Sequence, residues 1–178
     1  LFRTVSSPDG AVLVAMAEIG KTRGENGCTT RVAFRFEASL DRRPLAIDLV
    51  STLIGHVVKA DRTFRHEMVT AFGEAFNNIV IHAYRDQKDG MLDVEVDLGA
   101  EEMTIRLMDT GKAVDFGGLT PPDLDSMPEH GMGVFMIHAL VDEVVYRGGA
   151  PNVLSLTKRA TNSTINEGQG RDELHPHG

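Results

Sequence analysis

Apolar residues alternate with polar ones along three stretches of the chain. The alternation covers Thr30–Ala38, Met91–Leu98 and Glu102–Met108. Successive side chains of a strand point to opposite faces, so this pattern predicts three half-buried strands. Two further strands are predicted at about 142–147 and 153–159. Gly99-Ala100-Glu101 and the Gly148–Asn152 segment are typical of hairpin loops between neighbouring strands.

Helical spacing appears in three other segments. A broad apolar side from Leu45 to about Lys59 predicts one helix, and Val134–Leu140 predicts a short one. A longer helix is predicted from about Phe64 to Arg85. Five apolar residues of this helix lie at about the same angle around its axis and form one face, which we expect to pack against the core. They are Met68, Phe72, Phe76, Ile79 and Ala83.

The order of these elements is strand, two helices, hairpin, long loop, helix, hairpin. Grouped helices and paired strands predict an α+β fold with the helices on one face of the sheet. The loop from about Lys112 to His130 is long and rich in glycine and proline, which is typical of a lid. Residues 1–29 form an N-terminal extension whose turn-rich sequence fits either a short strand or a helix. Residues 30–160 form one domain, and 161–178 read as a disordered tail.

Composition narrows the class of protein. The net charge of −8 argues against direct nucleic-acid binding, which needs a basic surface. No apolar run is long enough to span a membrane, and no signal peptide is evident. Cys28 is the only cysteine, so an internal disulfide and a cysteine metal cluster are excluded. These features together predict a cytoplasmic protein.

A polar stripe runs along the long helix opposite its apolar face. It consists of Glu74, Asn78 and His82, each four residues after the last. A carboxylate and an amide one turn apart can meet one ligand, and their oxygens suit a hard cation or a water molecule. The same stripe could also be the solvated face of an ordinary amphipathic helix, so the helix alone leaves both interpretations open.

Two glycine-containing segments give the stripe a possible ligand. Asp109-Thr110-Gly111 ends a strand, where a buried carboxylate can accept a hydrogen bond from an exocyclic amine and the glycine leaves room for a flat base. Gly131-Met132-Gly133 opens a helix, where backbone N–H groups can approach a phosphate. Together these features predict a nucleotide–magnesium site with a mobile cover. The sequence lacks both the P-loop and the Rossmann fingerprint.

With these motifs the chain resembles the histidine-kinase-like (GHKL) ATPases, and within them the anti-sigma factor serine-protein kinases. The resemblance covers about Thr30 to Arg159 and implies a two-layer sandwich with a mixed, mainly antiparallel sheet. It implies ATP and Mg²⁺ as cofactors, with Asn78 as the magnesium ligand and Glu74 as the catalytic base. It also implies further ATP-binding residues: Asn78, His82, Asp109, Gly111, Lys112, Asp115, Gly131, Met132, Gly133 and Val134.

The sequence departs from the family pattern at two places. Ala113 and Val114 stand where the family often has a proline and an aromatic residue. The last hairpin has Asn152 near the position of a family threonine that helps to hold adenine.

The resemblance implies a kinase that binds a sigma factor and phosphorylates a serine of an anti-anti-sigma antagonist, and it implies a homodimer. The altered residues keep a second function open, in which the domain is a non-catalytic nucleotide-binding module that regulates a partner by contact alone. A dimer clamp driven by ATP hydrolysis ranks last, because the 178 residues leave no room for a transducer domain.

Overall fold

The computed structural model describes residues 3–6, 12–15, 20–24, 27–57, 60–85, 90–113 and 132–160. These residues form eight strands: β1 (Arg3–Ser6), β2 (Val12–Ala15), β3 (Gly20–Gly24), β4 (Gly27–Glu37), β5 (Met91–Leu98), β6 (Glu102–Asp109), β7 (Glu143–Arg147) and β8 (Asn152–Arg159). They also form three α-helices: α1 (Arg43–Ile54), α2 (Arg62–Asn78) and α3 (Met132–Leu140). A 3₁₀ turn (Leu40–Arg42) precedes α1, and a π turn (Ile79–Ala83) continues α2.

The strands form one sheet in the order β1-β2-β4-β5-β6-β8-β7, and β3 pairs with β4 beside this path. The predicted α+β fold is confirmed. Every strand pairing in the described ranges is antiparallel, so no parallel pair of the expected mixed sheet is found there. The hairpin loop before β6 is also confirmed, since the Gly99 amide donates to the Glu102 carbonyl at 2.9 Å.

One face of the sheet packs against the helices and holds the core. Strand residues on this face alternate with less buried neighbours, as the sequence predicts. The buried apolar strand residues in the described ranges are Phe34, Phe36, Leu92, Val94, Val96, Leu98, Met103, Ile105, Leu107, Leu154 and Leu156. The predicted apolar face of α2 is confirmed too, because all five of its residues are buried. The helices therefore lie on one face, where the Phe76 ring of α2 packs edge-to-face against Phe36 of β4.

The other face of the sheet is charged and held by ion pairs across strands. Arg31 and Arg106 each place a nitrogen 2.6 Å from a different oxygen of Asp97, and Arg35 pairs with Asp93 on the same face. Burial acts to raise the pKa of Asp97, but hydrogen bonds from the two arginines hold it below its ordinary value of 3.8. The charged side chains named here are therefore paired with one another within the sheet.

Helix α1 is shorter than predicted, because it ends at Ile54 rather than near Lys59. After Ile54 the backbone forms the tighter hydrogen bonds of a 3₁₀ turn. The amide of His56 donates to the Leu53 carbonyl and that of Val57 to the Ile54 carbonyl, each three residues back. Val57 is nevertheless buried. Its apolar side chain therefore continues the hydrophobic pattern after the helix itself has stopped.

The long predicted helix begins earlier and changes character before its end. Asp61 caps α2 by accepting a hydrogen bond from the Phe64 amide at 2.7 Å, so the helix starts at Arg62. Regular α geometry ends at Asn78, and the next five residues form a π turn. His82, the third member of the predicted stripe, lies on this π turn and is exposed.

The first 24 residues contribute three strands to the same sheet. The backbone of β2 pairs with β4 at Val14 and Arg35, and β1 pairs with β2 on the outer side. β3 and β4 form a hairpin from Gly20–Arg31 to Gly24–Gly27. The sequence left strand and helix open for this region, and the structure shows strands.

Helix α3 is fixed at its carboxyl end by a lysine from β8. Lys158 donates from Nζ to the Leu140 carbonyl at 2.8 Å and pairs with Glu67 of α2 at 2.7 Å. Its ammonium group also lies 5.9 Å from the centre of the Phe64 ring. One cation thus joins the sheet to α2 and to the carboxyl end of α3. In the described ranges no helix has the length and apolarity that crossing a membrane requires.

Candidate functional site

The start of α3 approaches α2 at Glu74 and Asn78. A Cβ atom added at Gly133 would stand 3.0 Å from Oε2 of Glu74 and 3.3 Å from Nδ2 of Asn78. Glycine at this position therefore keeps a narrow space open between the two polar side chains and the first turn of α3. The helical spacing of the pair and the glycine entry, predicted separately from the sequence, meet here.

The amide group of Asn78 has an unsatisfied atom in this space. Nδ2 of Asn78 is buried and has no hydrogen-bond partner among the described residues. An unpaired buried amide costs free energy unless a ligand or water pairs with it. The nitrogen and oxygen of an asparagine are assigned by their surroundings, so either end could face a ligand. The orphaned amide fits a hydrogen-bonding partner such as a water molecule or a ligand oxygen.

Gly111 lies directly against the π turn. A Cβ atom added at Gly111 would stand only 2.5 Å from the Ala83 carbonyl oxygen, and that same oxygen accepts a hydrogen bond from the Lys112 amide at 3.1 Å. Ala83 follows Asn78 by five residues, which is roughly 7 Å along a helix. The turn after β6 therefore lies beyond the Glu74–Asn78 pair, next to the π turn that continues α2.

The Tyr84 side chain closes the back of this turn. Its hydroxyl donates to the Met91 carbonyl at 2.7 Å and accepts from the Thr110 amide at 3.0 Å. Tyr84 is buried, and a Cβ atom at Gly90 would overlap its ring at 2.3 Å. One phenol thus joins the end of the π turn to the start of β5 and the end of β6. This contact fixes the backbone around Gly111.

Asp109 is buried at the end of β6 and is paired with Asn152 at the start of β8. Oδ1 of Asp109 accepts from the Gly111 amide at 2.9 Å and from Nδ2 of Asn152 at 3.0 Å. The side chains of Asp109 and Asn152 are only 3% and 2% exposed. Within the described ranges nothing donates to Oδ2 of Asp109. The carboxylate is thus held from one side and retains an acceptor oxygen.

The remaining predicted site residues fall into two groups. His82 is exposed on the π turn, Lys112 is exposed after Gly111, Met132 is 40% exposed at the first position of α3, and Val134 packs against the core. Asp115, Gly131 and most of the predicted lid lie outside the described residues, as does the predicted tail.

Asn152 and Tyr84 contact the predicted site residues, and the sequence alone does not assign them to the site. The sequence marks Asn152 only by the absence of a threonine, whereas its pairing with Asp109 follows from the register that places the two opposite each other. Tyr84 carries no signal of its own, because a tyrosine at the end of an apolar helix is also typical of a core residue. Pairing β6 with β8 before interpreting the last hairpin could have found Asn152.

The described residues offer few side chains that could bind a metal ion. No cluster of three or more histidine, cysteine or acidic side chains that could hold a metal occurs in the described ranges. A magnesium ion here would have Asn78 as a protein ligand, and water and ligand oxygens would complete its shell, as is usual for this ion. The Glu74 carboxylate lies beside Asn78, near the Cβ position of Gly133.

We expect Gly133→Ala to weaken nucleotide binding without weakening the fold. The new methyl group would enter the space beside Glu74 and Asn78, where both neighbours are side-chain ends that can move by a few tenths of an ångström. Alanine is also favoured over glycine in a helix by up to about 1 kcal/mol. The expected result is at least a tenfold rise in the Kd for Mg-ATP by calorimetry, about 1.4 kcal/mol, with an unchanged or higher free energy of unfolding.

Gly148→Ala is the matched control, because a Cβ there would be 3.9 Å from its nearest neighbour, the Tyr146 ring. It should alter neither quantity. An unchanged Kd for Gly133→Ala would contradict a ligand in the space that this glycine keeps open.

Known proteins match this chain in sequence. The model of the family described as "Histidine kinase-like ATPase domain" matches residues 36–158. Serine-protein kinase RsbW of Bacillus velezensis is 26% identical over 110 residues, which are 57% of this chain and 69% of that protein. An anti-sigma F factor of Clostridium botulinum is 32% identical over 80 residues, 43% of this chain and 56% of the relative. RsbW of Staphylococcus aureus strain RF122 is 26% identical over 148 residues, 75% of this chain and 93% of the relative.

A solved structure has a similar fold. The RsbU and RsbW domains of a Mycobacterium tuberculosis protein superpose with a TM-score of 0.54 at 20% identity, over 72% of this chain and 32% of that one. At this identity the likeness concerns the fold. The chain spans only part of the length of the first two relatives, 69% of one and 56% of the other.

Proposed function

The chain belongs to the histidine kinase-like ATPase domain family, and from that premise we propose that it is an ATP-dependent serine/threonine-protein kinase and anti-sigma factor. The observation that carries the proposal is the meeting of Glu74, Asn78 and Gly133. A carboxylate, an unsatisfied amide and an open glycine converge there, at the start of a helix. This is what phosphoryl transfer requires at the reacting end of a nucleotide.

The nucleotide would lie along α2, with its base and its phosphates held at different places. Asp109 would accept a hydrogen bond from the exocyclic amine of adenine, beside Gly111 at the π turn. The phosphates would lie toward Gly133 and the first turn of α3, where the helix dipole and backbone N–H groups favour negative charge. Met132 and the predicted contacts of Lys112, His82, Val134, Gly131 and Asp115 belong to this proposal.

Asn78 would be the protein ligand of magnesium through Oδ1, because the amide lies beside Glu74 and Gly133 and its nitrogen has no partner among the described residues. When bound, the ion supplies charge neutralisation on the phosphates. Glu74 would accept the proton of a serine hydroxyl as that oxygen bonds to the γ-phosphorus. The bond between the γ-phosphorus and the bridging oxygen would break, and ADP would leave.

The proposed protein partners come from the names of the relatives. Proteins named anti-sigma F factor and serine-protein kinase match 43% and 57% of this chain. We propose that this chain binds a sigma factor, that it phosphorylates a small antagonist protein on serine, and that it acts as a homodimer.

Affinity capture from the native cell extract, with and without Mg-ATP, tests this function. We expect the captured small protein to carry phosphoserine only in the Mg-ATP sample, and calorimetry to show Mg-ATP binding by the chain alone. Binding without transfer would instead support the non-catalytic regulatory module. No binding of Mg-ATP would contradict the kinase function.

A further inference from the structure

We propose that Asn152 is a specificity-determining positioning residue that restricts the base site to bases carrying an exocyclic amine. The inference rests on the proposed nucleotide site and names a residue for its selectivity. Asn152 does not need to touch the base. It acts through the carboxylate of Asp109, whose orientation it fixes.

The amide of Asn152 is fully used by the protein. Nδ2 donates to Oδ1 of Asp109 at 3.0 Å and to the Gly111 carbonyl at 3.1 Å. Oδ1 of Asn152 accepts from the Gly149 amide at 3.1 Å. The reversed amide would set its oxygen against a carboxylate and a carbonyl, so the contacts fix which end is nitrogen. Asn152 therefore joins the end of β6, the turn after it and the hairpin before β8.

This arrangement determines which bases can form a hydrogen bond with Asp109. Two N–H groups hold Oδ1 of Asp109, from Gly111 and from Asn152, so the carboxylate cannot rotate without losing both. Its remaining oxygen, Oδ2, can only accept a hydrogen bond. A base with an amine opposite this oxygen pairs with it, whereas a base with a carbonyl there places two acceptors together. A buried acceptor left unpaired in this way is costly.

Threonine, which the related family pattern has near this place, could donate only one hydrogen. Asparagine donates two, one to Asp109 and one to the backbone of Gly111. It thereby links the orientation of the carboxylate to the position of the glycine against the π turn. We expect the selectivity to depend on this double contact.

The test compares Mg-ATP with Mg-ITP, whose base has a carbonyl in place of the adenine amine. Calorimetry gives both dissociation constants for the full chain and for Asn152→Leu, Asn152→Ala and Thr157→Val. We expect the unaltered chain to bind ATP at least about tenfold more tightly than ITP, the low end of the discrimination expected from one unpaired buried acceptor. Both Asn152 variants should bring this ratio to within about threefold of one, because Asp109 is then no longer held.

Thr157→Val is the matched control on the same strand. It removes a buried hydrogen bond to Thr104 of 2.9 Å, away from Asp109. It should lower the free energy of unfolding and leave the ATP-to-ITP ratio unchanged. Asn152→Ala adds neither bulk nor charge, so it serves if Asn152→Leu does not fold.

The outcomes separate the inference from the proposed function. If the unaltered chain selects ATP and the Asn152 variants lose affinity for both nucleotides equally, Asn152 is merely structural and the inference is overturned. If the unaltered chain binds ATP and ITP equally, the inference is also overturned while the kinase function stands. If the unaltered chain binds neither nucleotide, the proposed function fails and the inference fails with it.

Discussion

Glu74→Gln should reduce phosphoryl transfer to serine by about a thousandfold, the middle of the range for a general base, while the Kd for Mg-ATP changes by less than about threefold. Glutamine has the same shape as glutamate and can still pair with the neighbouring groups, but it cannot accept the serine proton. Glu74 lies beside Asn78 and Gly133, at the proposed reacting end of the nucleotide. Single-turnover transfer to the captured antagonist measures the rate, and calorimetry measures the binding.

Glu95→Gln is the control for this prediction, since Glu95 lies on the charged face of the sheet away from the helices. It makes the same chemical change and should leave the transfer rate intact. A transfer rate near normal for Glu74→Gln would remove Glu74 as the base. An equal loss of binding and transfer would show that Glu74 serves the nucleotide rather than the proton.

Asn78→Ala should abolish the part of nucleotide affinity that depends on magnesium. In the unaltered chain we expect ATP to bind about a hundredfold more tightly with Mg²⁺ than with EDTA, because a bound ion supplies several kcal/mol of charge stabilisation. Without the amide the two dissociation constants should lie within about threefold of each other. Paired titrations of ATP in magnesium and in EDTA measure the difference.

The second expected effect of Asn78→Ala is on the free energy of unfolding. Nδ2 of Asn78 is buried without a partner in the described chain, so its removal takes away a desolvation cost of about 1–3 kcal/mol. This gain offsets the small cavity, and we expect a free energy of unfolding that is unchanged or higher. A residue kept for ligand binding at the expense of stability behaves in this way.

Asn77→Ala controls for the loss of any asparagine from this helix, since Asn77 precedes Asn78 and points about 100° away. It should keep the magnesium dependence. If Asn78→Ala retains the full difference between magnesium and EDTA, Asn78 is not the ligand.

The strands could be predicted from the sequence wherever apolar and polar residues alternate. The predicted strand Met91–Leu98 coincides with β5, because alternation alone sets which residues face the core. Helix ends were less predictable. Val57 continues the apolar pattern of α1 although the helix has ended at Ile54, since burial and helical hydrogen bonding are separate properties.

The site was predictable where it depends on local spacing. Glu74 and Asn78 share a helix turn, so their juxtaposition follows from the sequence. The π turn did not follow, because widening one turn leaves the apolar face of Ile79 and Ala83 intact and so alters no visible pattern. Asn152 did not follow either. Its role depends on the β6–β8 register, which joins residues 43 positions apart.

Three consecutive backbone N–H groups after β6 are each donated to a different part of the molecule. Thr110 donates to the Tyr84 hydroxyl, Gly111 to Asp109, and Lys112 to the Ala83 carbonyl. In deuterated water these hydrogens can be replaced only when the turn separates from helix, strand and phenol together. Their exchange lifetimes would thus report one cooperative opening of the base pocket, and a bound base would lengthen all three by the same factor.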